Sequence, residues 1–98
     1  MIEKLERLAA ARINLLPAAA ITTHFIFERD GFVALVERKD DAFGRIGTAG
    51  LATEQGFAAL VWRGEQAFFV GRSVELAANP EQVAALRSFQ KDLEESIA

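Results

Sequence analysis

The sequence predicts an α+β fold in which an N-terminal helix, a five-stranded antiparallel meander sheet and a C-terminal helix packed on the sheet follow one another. Three observations predict it. Apolar residues recur with a helical period at both ends of the chain, alternate with a period of two in the middle, and are interrupted there by short turn signals. The 98 residues suffice for one α+β domain, residues 1–98, and 51% hydrophobic with 26% charged residues excludes intrinsic disorder.

The first element, over residues 2–16, has apolar residues every three or four positions, which is typical of an amphipathic helix. Pro17 ends this helix, because the residue before a proline is disfavoured in helical geometry. The alternative is a secretory signal that ends in the small residues 18–20. Glu3 and Glu6 lie where such a signal is basic, however, and its apolar run is short. We therefore expect an ordinary helix in a cytoplasmic protein.

Five strands are expected after this helix. The first begins at residue 21, the second ends before a polar loop over residues 39–44, and the others cover residues 45–52, 57–63 and 66–72.

Two turn signals fix the expected pairing of the strands. Asp30-Gly31 favours a type I′ hairpin turn, whose register pairs His24 with Glu37. Gly64-Glu65 has the form of a type II′ turn. Its register pairs Trp62 with Ala67, Val61 with Phe68 and Leu60 with Phe69.

The segment over residues 73–78 is either a loop or a short helical turn. Asn79 then favours a helix N-cap, with Pro80 in the first helical position and Gln82 completing a capping box. The apolar stripe of this helix consists of Val83, Leu86, Phe89, Leu93 and Ile97.

The last two strands are apolar on both faces, unlike a sheet with one face in water. One face carries Ala59, Val61, Phe68 and Val70, and the other carries Leu60, Trp62, Ala67 and Phe69. Either the two helices cover one face each, or both pack on one face and the second meets another chain or a ligand. An uncovered patch of this size would exceed what soluble monomers usually expose.

Several classes of function are excluded or disfavoured. A net charge of −3 gives no electrostatic footprint for nucleic acid, and the longest uncharged stretch, residues 13–27, is too short and polar to span a membrane. Without cysteine and with one histidine, we expect no metal site and no cofactor; Asp40 and Asp41 are interpreted as a solvated acidic loop. The glycine-rich residues 44–50 match no phosphate-binding motif, and indicate a strand with a bulge or a strand that a helix approaches closely.

His24 and Glu37 are the one pair with the chemistry of a site. Their register makes them a non-hydrogen-bonded pair with Cα atoms about 4.5 Å apart. A carboxylate beside an imidazole suits a general base or a pH switch, but also an ordinary cross-strand polar pair. No nucleophile or oxyanion donor accompanies them, so no catalytic residue is assigned and an enzyme is disfavoured.

We therefore expect a non-enzymatic protein-interaction module, most simply a homodimer that buries a sheet face or a sheet edge, although another protein partner is possible. The candidate interface residues are Phe57, Leu60, Trp62 and Phe69. The alternative hypothesis is a small-ligand-binding domain with a pocket near His24 and Glu37.

Overall fold

A single antiparallel sheet of seven strands organises the chain, and each strand pairs with its neighbours in sequence. The structure is a computed structural model that describes residues 2–17, 23–40 and 42–98. One helix precedes the sheet and one follows it. The elements are α1 (Ile2–Ala10), β1 (Asn14–Leu16), β2 (His24–Arg29), β3 (Phe32–Lys39), β4 (Ala42–Thr53), β5 (Gly56–Arg63), β6 (Gln66–Val70), β7 (Glu75–Ala77) and α2 (Pro80–Ile97).

The prediction of five strands was wrong, because the first helix is shorter than its apolar period suggests. Arg12 adopts a positive φ of 60°, and the amide of Ile13 donates to the carbonyl of Leu8 at 2.9 Å. With the bond from the Arg12 amide to the Ala9 carbonyl, these contacts form a Schellman motif, which ends a helix. The residues after it are free to extend, and β1 pairs with β2.

Further boundaries differ from the expectation. The polar loop expected over residues 39–44 is shorter, since β3 extends to Lys39 and β4 begins at Ala42. The segment over residues 73–78 contains the edge strand β7 rather than a helical turn. The expected strand start at Ile21, the small residues 18–20 and Asp41 lie outside the described residues.

Both hairpin registers are confirmed. Asp30 and Gly31 have positive φ values of 54° and 89°, as a type I′ turn requires, and His24 pairs with Glu37. Gly64 has a φ of 65°, and the strands that it joins pair Trp62 with Ala67. Local turn chemistry therefore sets the alternation of side chains over most of the sheet.

Both helices pack on one face of the sheet, rather than covering one face each. α1 packs against α2, and α2 lies across β3 and β4. The predicted apolar stripe of α2 is buried, and the capping box of Asn79 and Gln82 is present. The sheet contributes side chains from a single face to this core, among them Phe27, Ala34, Val36, Ala58, Ala67 and Phe69.

Candidate functional site

The side of the sheet away from the helices carries many apolar side chains. In the part of the chain that the structure describes, no helix or strand covers it. We call this side the open face. Because side chains alternate along a strand, its members are the neighbours of the buried core residues. Its apolar residues are Leu16, Ile26, Val33, Leu35, Phe57, Ala59, Val61, Phe68, Val70 and Ala77.

Burial differs between the two faces. Phe57 and Val61 on the open face are each 38% exposed, whereas Phe69 on the helix face is fully buried. Sheet surfaces of this composition are normally covered. The open face is therefore a candidate surface for a partner.

Three rows of residues cross the open face at right angles to the strands. The first joins Val33, Gly50 and Ala59 through the pairing of β3, β4 and β5, and Glu28 and Val70 extend it. The second row lies two residues further along and is apolar on both sides of β4, which interrupts it at Gly47 and Thr48. Its apolar members are Leu16, Ile26, Leu35, Val61, Phe68 and Ala77. The third lies four residues along and is polar: His24, Glu37, Arg63 and Gln66.

The glycine-rich segment lies in β4, at the centre of this face. The pairing of β3 with β4 shifts register between Ala34 and Val36 and again between Val36 and Arg38, so the expected bulge is present. At Gly50 an added Cβ would collide with the backbone of Ala58 on β5. The close approach here comes from a neighbouring strand, and the segment has no helix N-terminus with which to hold a phosphate.

His24 and Glu37 face each other across β2 and β3 as predicted, but no hydrogen bond joins the side chains of these two described residues. The ring Nδ1 of His24 lies 2.8 Å from the hydroxyl of Thr23 instead. The amide of Arg38 donates to the Thr23 carbonyl at 2.9 Å, which makes the His24 pair a non-hydrogen-bonded one, as the register requires.

A cavity of about 320 Å³ lies beside His24 at the end of β1 and β2. Leu16, Ile26 and Arg38 contribute to its lining, whereas Glu37 does not. The guanidinium of Arg38 lies 4.3 Å from the centre of the Phe25 ring, which holds a positive charge at the cavity wall.

The four candidate interface residues are divided between the two faces. Phe57 lies on the open face, whereas Leu60 and Phe69 contribute to the core beneath the helices. Trp62 also lies on the helix side, but it is 47% exposed and borders a groove of about 390 Å³ between β6 and α2. Arg87 of α2 lies over its ring at 5.6 Å. Of the four, Phe57 marks the surface that the helices leave uncovered.

Sequence reasoning missed the contacts of Arg29, which connect three elements. Its guanidinium donates to the carbonyl of Ala11 at 3.0 Å and to the carboxylate of Asp92 at 2.8 Å. The alternation that places Phe27 in the core places Arg29 on the same face, and a charged residue there requires partners. The alternation of the strand could therefore have indicated that Arg29 needs a partner. It could not have identified Asp92, because the helical period places Asp92 on the outer face of α2.

No family model, curated protein or solved structure matches this chain. Neither helix is long and apolar enough to cross a membrane, in the part of the chain that the structure describes. Across residues 2–17, 23–40 and 42–98, no three histidine, aspartate or glutamate side chains lie together as metal ligands would. Function is therefore inferred from the geometry of the surfaces alone.

Proposed function

We propose that this protein is an interaction module that self-associates, with two copies burying their open faces against each other. The observation that carries the proposal is the apolar row on the open face, in which Val61 and Phe68 pair on neighbouring strands without a covering helix. Apolar surface removed from water contributes about 25 cal/mol per Å², so covering this face favours association.

The accessible area of the chain supports a second copy as the occupant. A compact monomer of 10.7 kDa is expected to expose about 5,500 Å². This chain exposes 6411 Å², which is about 900 Å² more. Stable interfaces bury about 800 Å² on each partner, so the surplus matches one face of a dimer.

Solution mass tests the proposal directly. Size-exclusion chromatography with light scattering, across a hundredfold dilution, should give a dimer that dissociates at the low end. Val61→Asp should be monomeric throughout while its far-UV circular dichroism stays that of the folded chain. Leu76→Asp is the matched control, since Leu76 is 44% exposed but lies on the helix side of the sheet. A monomeric wild type, or a dimeric Val61→Asp, would overturn the proposal.

The cavity beside His24 favours a second candidate function, the binding of a small anionic ligand. His24 and Arg38 supply its polar and positive groups, and Leu16 and Ile26 supply apolar walls. A thermal-shift screen of small carboxylates and phosphates tests it. A hit should lose its shift in Arg38→Met and in His24→Ala, and the absence of any hit would reject this candidate.

A further inference from the structure

The arrangement of the proposed dimer can be inferred from the positions of the charges on the open face. We infer that the two copies pack about a twofold axis parallel to their strands, so that Glu37 of each copy contacts the partner's Arg63. This inference rests on the proposed self-association through the open face, and it adds the orientation and the residues that determine it.

The strand order determines which strands face each other under such an axis. β4 is the central strand of seven, with three strands on either side. A twofold axis along β4 places β4 on the partner's β4 and exchanges β3 with β5, β2 with β6 and β1 with β7. Two sheets that pack face to face keep their strands within about 30° of each other, which such an axis allows.

The register then determines which residues meet. β3 and β5 run in the same direction, and the row through Val33 and Ala59 is common to both. Glu37 and Arg63 each lie four residues further along, about 13 Å on each strand, so the axis brings them to the same level although the pairing of β4 with β5 ends at Gly50 and Ala59. The facing pairs are Val33 with Ala59, Leu35 with Val61, Ile26 with Phe68, Leu16 with Ala77, His24 with Gln66, Glu37 with Arg63, Asn14 with Glu75 and Glu28 with Val70.

This arrangement sets apolar residues on apolar residues and polar residues on polar ones, with one exception. Glu28 faces Val70, but its carboxylate is already hydrogen-bonded to Asn14 and to the amide of Gly31, each at 3.0 Å. The charge of Glu28 is therefore held toward its own hairpin. The remaining facing pairs match in chemical class.

An axis across the strands gives a poorer match. It would set each strand on the same strand of the partner and reverse the order of the rows. Glu37 would then face the partner's Val33, and Arg63 would face Ala59. Glu37 of each copy would then be buried against an apolar group without a counter-ion, which is strongly unfavourable.

The two charged side chains are placed to make the contact. The guanidinium of Arg63 lies over the Phe68 ring at 5.0 Å and pairs with Glu75, and its side chain remains 55% exposed. No ion pair holds the carboxylate of Glu37 among the described residues. The same axis therefore brings Arg63 of one copy, with its partner Glu75, to Glu37 of the other copy at two places in the dimer.

Charge reversal, with rescue by a second variant, tests the arrangement. Glu37→Arg alone and Arg63→Glu alone should each place like charges in both contacts, and each should raise the dimer Kd about tenfold or more. Mixed in equal amounts, the two variants should form a heterodimer with near wild-type Kd, because opposite charges then meet at both contacts. Native mass spectrometry distinguishes the species by mass. Glu94→Arg, on the outer side of α2, should leave the Kd unchanged.

The outcomes separate this inference from the proposed function. A monomeric wild type rejects both. The arrangement alone is rejected if Val61→Asp disrupts the wild-type dimer but the single reversal variants dimerise normally. It is also rejected if the mixture of those variants gives no heterodimer. If a reversal variant does not fold by circular dichroism, Glu37→Gln, Arg63→Gln and their double variant replace it. If the effects of the two single variants on the free energy of dimerisation simply add in the double variant, the contact is equally rejected.

Discussion

At the scale of single residues, the clearest strain lies at Arg12. Its φ of 60° is the left-handed conformation that glycine adopts at lower cost, and it ends α1. Arg12→Gly should therefore raise the free energy of unfolding by about 0.5–1 kcal/mol, as measured by urea denaturation. Arg12→Ala keeps the strain and is the control. Equal stability of the glycine and alanine variants would contradict the assignment of strain.

Glu28 gives the fold a pH-dependent contribution. The hydrogen bond from the Asn14 side chain, and secondly the bond from the Gly31 amide, lower the pKa of this carboxyl below its ordinary value of 4.5. Since the folded pKa is depressed, the contribution is present above the ordinary pKa and is lost as pH falls through the folded one.

Glu28→Gln should accordingly be less stable than the wild type near neutral pH. The difference should shrink in acid, because a protonated Glu28 resembles the amide. Urea denaturation of both proteins from pH 7 to pH 3 measures it. Asn14→Ala should reduce the same pH dependence, since it removes the larger cause of the shift. A difference that stays constant with pH would exclude this role.

At the scale of elements, β4 depends on a glycine at its centre. A Cβ at Gly50 would collide with backbone atoms of Ala58, which no side-chain movement relieves. Gly50→Ala should therefore cost about 3 kcal/mol of stability. Gly47→Ala is a control in the same strand, because its Cβ would lie 3.4 Å from the Leu35 carbonyl, an ordinary contact. Similar costs for both variants would show that the collision is relieved by a backbone shift.

The elements also show what the sequence could and could not predict. Hairpins set by two-residue turns were predictable with their registers, since Asp30-Gly31 determines the geometry locally. The short edge strands were not, because three residues carry too little pattern. Ile13 and Leu16 continue the helical period of α1, and nothing in the sequence marks Arg12 as the residue that leaves the helix.

The same limit applies to the candidate site. Alternation shows that two faces of β5 and β6 are apolar, but it does not say which face the helices cover. The candidate interface combined Phe57 with Phe69, although the period of two already places these residues on opposite faces. Which of the two faces stays uncovered depends on how α1 and α2 dock, which is a tertiary property. Which residues share a face was predictable from the register, but the face left uncovered was not.

At the scale of the whole molecule, the chain is flat. Its extents are 39 × 27 × 21 Å, and its radius of gyration of 13.6 Å exceeds the roughly 12.6 Å expected for a compact domain of this length. One layer of sheet and one layer of helices account for this shape. A second copy on the open face would add a third and a fourth layer and bury the central strands on both sides.

Coupling between folding and association gives the last prediction. If the native state is a dimer through the open face, mass action makes the Tm rise with protein concentration. A hundredfold increase should raise the wild-type Tm by about 5 °C or more for a domain of this size. Val61→Asp, which leaves the helix side of the sheet intact, should have a Tm that does not change with concentration. A concentration-independent wild-type Tm would mean that the exposed sheet is stable without a partner, and the open face would then have no role in maintaining the fold.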